Sequence, residues 1–245
     1  MRDATSYRHI APYYDWIMAH VDYDEWGRHL ARLWRKFGKD PRSVLELAAG
    51  TCPFAARKVF PSGARVIHSD LSPYMLARTT GGVRVAANAL ALPFKGPFQV
   101  CAMIYDAFNY LAREEDVSRC FAETFRVLDA GGLFIFDITT AANSRRHFAD
   151  TLDFGELQGC TYIRASRFDT DTRMQKNDFT FFVEEEKGCW RKYEETHQQR
   201  IYTVGGIERL ARGAGFEVAG SFDGFTLKPG RDAAERVHFV LRKPL

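Results

Sequence analysis

A chain of 245 residues and 28.0 kDa has room for one large domain, or one domain with an insertion, and is long enough to bury a core without disulfides or a metal. Hydrophobic residues make up 46% and charged residues 27%, a composition that excludes disorder and a coiled coil. Lys+Arg 34 against Asp+Glu 31 leaves a net charge of only +3, which supports neither a nucleic-acid nor a membrane partner. The five cysteines form no CxxC pair and the seven histidines no HExxH, so no metal site or disulfide framework is expected. A reducing, cytoplasmic setting fits that cysteine usage. Residues 1–10 carry no apolar signal core, and no apolar run approaches the ~18 residues of a membrane span.

In chain order, Ile10, Tyr13, Tyr14, Ile17 and Val21 recur at helical spacing, as do Trp26, Leu30, Leu33 and Phe37. Two N-terminal helices are expected, the second from near Asp24 to Gly38. From Ser43 short apolar strands alternate with helices: SVLELA, a helix over Phe54 to Phe60, ARVIHSD, a helix from Pro73 to Gly81-Gly82, VRVAAN and FQVCAMIY. A helix marked by Val117, Phe121 and Phe125 then leads to GLFIFDI. Such alternation means crossover connections and a mostly parallel, doubly wound α/β sheet. After about Asp150 the period changes to two. TYIRASRFD, QKNDFTFFVEEE and WRKYEETHQQRIYT read as long antiparallel strands turning near Asp169–Arg173 and at Lys187-Gly188. A helix from Gly206 to Ala214 and the strands FEVAGSF and ERVHFVL close the chain. The expected layout is a single domain over 1–245: a helical lid at 1–40, a core at 41–150 and 205–245, and an antiparallel insertion at 151–204 that caps the pocket.

In an open α/β sheet a ligand lies beyond the carboxyl ends of the strands, where strand order reverses. The first strand runs into Glu46-Leu47-Ala48-Ala49-Gly50-Thr51-Cys52, and its small residues allow a ligand close to the backbone. Asp70 ends the second strand, 24 residues after Glu46. A carboxylate there accepts hydrogen bonds from both hydroxyls of a ribose, so a nucleoside-containing cofactor is expected. GxGxxG and GxxxxGK[ST] are both absent, which removes a dinucleotide loop and a P-loop.

The E-x-A-x-G-x-C loop resembles the E/D-x-G-x-G-x-G loop of class I S-adenosylmethionine-dependent methyltransferases. HSDLSPYMLA, NALALPF and FRVLDAGGLFIFDI are similar to later segments of that family, in the same order from about Val44 to Ile138. The resemblance implies a seven-stranded sheet and S-adenosyl-L-methionine as cofactor. Its site is expected at Tyr7, Tyr14, Glu46, Ala48, Gly50, Asp70, Leu71, Met75, Asn88, Ala89 and Tyr105. Ala48 and Cys52 stand where the family has glycine, a small change if φ is negative and an awkward one if φ is positive. Asn88 replaces an aspartate and keeps a carbonyl acceptor for the adenine amino group. YRHIAPYYDWIMAHVDYDEW and EETHQQRIYT resemble the lid and roof of small-molecule methyltransferases, among them the sugar amine N-methyltransferases.

The implied function is methyl transfer to a nitrogen, oxygen or carbon of a small organic acceptor, by a monomer or homodimer. The rival reading is a non-catalytic S-adenosylmethionine-binding protein with a modified glycine loop. Asp106, Asn109, Tyr110, Arg200 and Tyr202 are the expected substrate contacts, and His197 is the candidate catalytic base. A lone histidine in a strand is more often structural. His197 and Arg200 lie three apart, so an extended strand sends them to opposite faces and only one of them is expected in the pocket. Tyr7, Tyr13 and Tyr14 read equally as core aromatics of an amphipathic helix.

Overall fold

A computed structural model describes residues 7–79, 81–157 and 159–245; residues 1–6 of the expected lid lie outside the described residues. The described residues start in turns from Tyr7 that pass into α1 (Tyr14–Ile17) and α2 (Tyr23–Lys36). Asp22 caps α2 by accepting from the Glu25 N–H at 2.8 Å. The apolar stripe of α2, with Trp26, Leu30, Leu33 and Trp34, is buried.

Five parallel strands follow: β1 (Ser43–Leu47), β2 (Arg65–Asp70), β3 (Val83–Ala86), β4 (Phe98–Met103) and β5 (Leu128–Thr139). Between them lie α3 (Pro53–Ala56), α4 (Pro73–Leu76), a 3-10 turn at Ala107–Tyr110 and α5 (Glu114–Val127). After the insertion, α7 (Val204–Gly213), β10 (Glu217–Asp223) and β11 (Arg236–Arg242) complete a seven-stranded sheet of order β10-β11-β5-β4-β1-β2-β3. β11 runs antiparallel to β5. Alternate strand residues feed two cores. Leu45, Leu47, Cys101 and Phe134 pack with Phe121 of α5 and Ile207 of α7. Val44, Val100 and Ile135 pack with Trp26 and Leu30 of α2 and Phe54 of α3. Both faces are therefore covered, as the apolar strands require.

The insertion is a second sheet, β6 (Asp150–Leu157), β7 (Cys160–Asp169), β8 (Met174–Glu186) and β9 (Cys189–Arg200), in sequential antiparallel order. Helix α6 (Ala141–His147) leads into it from β5. Neither α6 nor β6 shows in the sequence pattern. AANSRRH has no apolar period, and β6 is an outer strand that leaves Leu152 and Phe154 exposed. α3 and α4 are each a single turn, shorter than their patterns suggest. The left-handed Lys58, φ +52°, stops α3, and the Val59 N–H turns back to the Phe54 carbonyl. Asn109 ties the two sheets together: its amide donates to the carbonyls of Thr139 and Arg200 and accepts from the Thr139 N–H. Among the described residues no helix is long and apolar enough to cross a membrane.

Candidate active site

Strand order reverses between β1 and β4, and a cavity of about 500 Å³ opens at the carboxyl ends of β1, β2 and β4. Its floor is the loop after β1. Ala48, Gly50 and Cys52 have φ of +51°, +57° and +57°, so the loop takes the left-handed conformation at every second residue. That is the alternation of the family's three glycines, held here with two side chains in place. The two non-glycine residues make the loop strained, at about 1 kcal/mol each.

Asp70 knits the floor. One carboxylate oxygen accepts from the Gly50 N–H at 2.8 Å and the other from the Ser72 N–H at 2.8 Å. Burial raises the Asp70 pKa, while these backbone donors pull it back. Each oxygen keeps acceptor capacity toward the cavity that Asp70 lines. Behind it, Glu46 pairs with His68 at 2.5 Å, both side chains buried on adjacent strands in direct register. Burial raises the Glu46 pKa against the opposing effect of His68.

The far wall is the turn after β4. Tyr105 and Asp106 are both left-handed, φ +68° and +58°. Their N–H groups converge on the carboxylate of Asp137, at 2.6 and 3.1 Å. Arg236 bridges Asp106 and Asp137 and lies 4.8 Å from the centroid of the Trp26 ring. The guanidinium shields the buried Asp137 and the half-buried Asp106 carboxylates, which would otherwise repel each other; burial still raises the Asp106 pKa. Asp137 and Arg236 were not identifiable from the sequence, because a charged residue in GLFIFDI or ERVHFVL has no local signature.

The roof joins the N-terminal segment to the insertion. Phe179 and Phe181 of β8 pack with Ile10, Tyr13 and Ile17, and Trp16 meets Tyr162 edge-on at 5.6 Å. The aromatic face of the insertion thus packs against the lid. Among the described residues of the insertion, only Thr196, His197 and Gln198 reach the cavity. The Tyr7 hydroxyl donates to the Tyr110 hydroxyl at 2.6 Å, and the latter lies 3.4 Å from His197 Nδ1. Glu195 Oε2 sits 3.5 Å from His197 Nε2. Burial holds Tyr7 well above the ordinary phenol range and pushes Tyr110 up to about 12, so both keep their protons at neutral pH. The Thr51 hydroxyl donates to Asp15 at 2.6 Å, which ties lid to floor.

The cavity brings together Tyr7, Tyr14, Glu46, Ala48, Gly50, Asp70, Leu71, Met75, Tyr105, Tyr110 and His197. Six expected residues lie elsewhere. Asn88 turns its side-chain oxygen to the Leu90 N–H, and Ala89 is in the core. Asp106 is held by Arg236, and Asn109 is fully buried with its amide engaged at both ends. Arg200 is on the opposite face of β9 from His197, as alternation requires. Tyr202 is in the core, donating to the Leu111 carbonyl. Phe54, Ser72, Asp116 and Gln198, which line the cavity, carried no sequence signal of their own.

These residues fit S-adenosyl-L-methionine. Asp70 presents carboxylate acceptors to the cavity, Leu71 and Met75 an apolar surface, and the loop after β1 its small residues Ala48, Ala49 and Gly50. The comparisons agree. Residues 45–136 match the methyltransferase domain family. YqeM of Bacillus subtilis (strain 168), provisionally named a methyltransferase, is 28% identical over 245 residues, covering 97% of each chain. In fold, the chain is similar to an S-adenosylmethionine-dependent methyltransferase from Clostridium acetobutylicum ATCC 824. The TM-score is 0.79, with 20% identity and 98% of each chain covered. It is also similar to the sugar N-methyltransferase KedS8 from Streptoalloteichus sp ATCC 53650, at TM-score 0.75 and 20% identity, with 95% of this chain and 93% of that one covered. An acid at the end of β2, a left-handed loop after β1, a methyltransferase domain matched over residues 45–136 and these likenesses in sequence and fold support an S-adenosylmethionine-dependent methyltransferase, with S-adenosyl-L-methionine as its cofactor.

Proposed function

We propose that the chain methylates an amine nitrogen of a small, uncharged or cationic organic acceptor, with an amino sugar as the leading class. The observation that carries this reading is the charge of the cavity. Glu46, Asp70 and Asp116 line it, and among the described residues no lysine or arginine does. His68 partners Glu46 and Arg113 partners Asp116, both from behind the lining. Such a site favours cationic and hydroxylated ligands and penalises a phosphate or carboxylate acceptor. It equally disfavours the pyrophosphate of a nicotinamide cofactor.

Bound S-adenosylmethionine supplies an electrophilic sulfonium methyl group. The chain's own task is alignment, which can lower a barrier by several kcal/mol. In this reading Asp70 and the β1 loop fix the nucleoside end. Tyr7, Tyr14 and Tyr105 flank the cavity, and Tyr110 with His197 faces the acceptor. An amine acceptor needs only to arrive unprotonated, and His197 is placed to take its proton. Likeness of fold to a sugar N-methyltransferase supports the acceptor class.

The test is a thermal-shift panel with S-adenosylmethionine, S-adenosylhomocysteine and NAD, followed by transfer of a labelled methyl group to amino sugars, hydroxylated sugars and small carboxylic acids. The expected result is stabilisation by the first two ligands only and label on the amino sugars. Label on a carboxylate or phosphate acceptor overturns the reading.

A further inference from the structure

The roof is held by one carboxylate that gathers backbone donors, as Asp70 does in the floor. Glu195 projects from β9 on the same face as His197, and its side chain is only 9% exposed. One carboxylate oxygen accepts from the His9 N–H at 2.6 Å and the Ile10 N–H at 3.2 Å. The other accepts from the Tyr7 N–H at 3.1 Å and lies near His197 Nε2. Three backbone donors within four residues of a non-helical segment thus end on one buried carboxylate, from a strand more than 180 residues away in the chain. Those donors flank Tyr7, whose ring is 4.6 Å from the His197 ring and whose hydroxyl meets Tyr110.

We propose that Glu195 is the positioning residue that closes the methyl-transfer site, seating the backbone of residues 7–10 so that Tyr7 lies over the cavity against Tyr110 and His197. The proposal rests on reading this cavity as the cofactor and acceptor site. Among the described residues, the other contacts given between 7–12 and β9 are apolar packing of Ile10 and ring contacts, His9 on Tyr193 and Tyr7 on His197. Charge-assisted bonds to backbone N–H groups are directional in a way that packing is not. Glu195 therefore sets where the lid sits, and Tyr7 follows.

The experiment measures amide hydrogen exchange at Tyr7, His9 and Ile10, together with calorimetric affinity for S-adenosylhomocysteine. Glu195→Ala is expected to speed exchange at all three amides at least tenfold and to weaken the ligand roughly tenfold. Glu195→Gln keeps one acceptor oxygen and replaces the other by a donor. It is expected to keep His9 and Ile10 protected while exposing Tyr7, and to recover most of the affinity. A role in bulk stability alone would not split the three amides in this way, and the Gln variant serves if the Ala variant fails to fold. Unchanged exchange in the variants, or faster exchange with unchanged affinity, overturns the proposal. Asp70→Ala separates the two ideas: it should lose affinity while the lid amides stay protected. If Asp70→Ala binds as the wild type does, it is the reading of the cavity that fails.

Discussion

The floor and the roof of the cavity are built in opposite ways. The floor comes from a short stretch of chain: Glu46 to Cys52 and Asp70 to Met75, placed by two adjacent parallel strands and closed by hydrogen bonds from Asp70 to Gly50 and Ser72. The roof comes from distant pieces: the segment around Tyr7, the turn holding Tyr110, and β9 with Glu195 and His197. The floor is stiff and strained, with left-handed Ala48 and Cys52 locked into the sheet edge. The roof is a set of polar contacts across an aromatic seam. Cofactor recognition, in the reading proposed above, belongs to the part whose geometry the sheet dictates. Acceptor recognition, in the reading above, belongs to the part assembled by long-range contacts.

The largest effect should come from the charge cluster of the wall beside them, in the turn after β4. Arg236→Leu leaves Asp106 and Asp137 buried without their cation, at a cost of about 3–5 kcal/mol. Urea unfolding should show it. A variant of near wild-type stability would mean that the turn after β4 does not depend on this charge cluster.

Asp70→Ala attacks the floor alone. Loss of charge-assisted bonds at about 1.5–3 kcal/mol weakens S-adenosylhomocysteine by roughly ten- to a hundredfold. Calorimetry on a folded variant decides it; unchanged affinity would remove Asp70 from the ribose.

Acid should separate the floor's support from the roof. His29 on α2 and His238 on β11 pack against each other behind the floor, and burial lowers each to about 3. The unfolded chain takes up these protons near the ordinary histidine value of 6.5, so stability is full above that pH and falls as pH drops from there toward about 3. Glu195 behaves differently. Burial raises its pKa, but the contact with His197 and the His9 N–H outweigh it and hold the group below its ordinary value of 4.5. Its contribution is present above that value and is lost only as pH falls through the lowered one. Global stability should therefore decline before the lid amides lose protection. Release of the lid at pH 6 would reverse this order.

The smallest effect tests the strained loop. Ala48→Gly and Cys52→Gly each relieve a positive φ worth about 1 kcal/mol, partly offset by the greater freedom of glycine in the unfolded chain. The double variant should melt at the same temperature or a few degrees higher, and bind S-adenosylhomocysteine as well or better. A clear loss of affinity would show that the two side chains are part of the cofactor surface.

Much of the floor was legible because its signals are local. A short apolar strand, a run of small residues and an acid at the next strand's end lie in order along the chain. Parallel pairing then brings Glu46 beside His68 and the loop beside Asp70. His197 and Arg200 could be assigned to opposite faces by alternation alone, and only His197 reaches the cavity. The misplacements have a common cause. Asn109 and Tyr202 are polar residues near the cavity in sequence terms, yet their polar atoms are consumed by backbone partners about 30 or 90 residues away. The aromatics of β7 and β8 were legible as an apolar face, but not as a face already taken by Ile10, Tyr13 and Trp16. Glu195, Asp137 and Arg236 gave no signal, because a carboxylate or guanidinium acquires its role only from what the fold sets against it.

The sequence by itself therefore determined the alternation of strands and helices, the strand-end loop and its acid, and with them the cofactor class. These follow from periodicity and chain adjacency, which backbone geometry converts directly into position. Only the tertiary structure decided which polar residues face the cavity and which are spent in holding it: Tyr110 and His197 inside, Asn109 and Asp106 outside, Glu195 at the lid. That choice depends on which donors and acceptors meet across distant parts of the chain, and buried polar groups are satisfied by whichever partner the packed fold brings within hydrogen-bonding range.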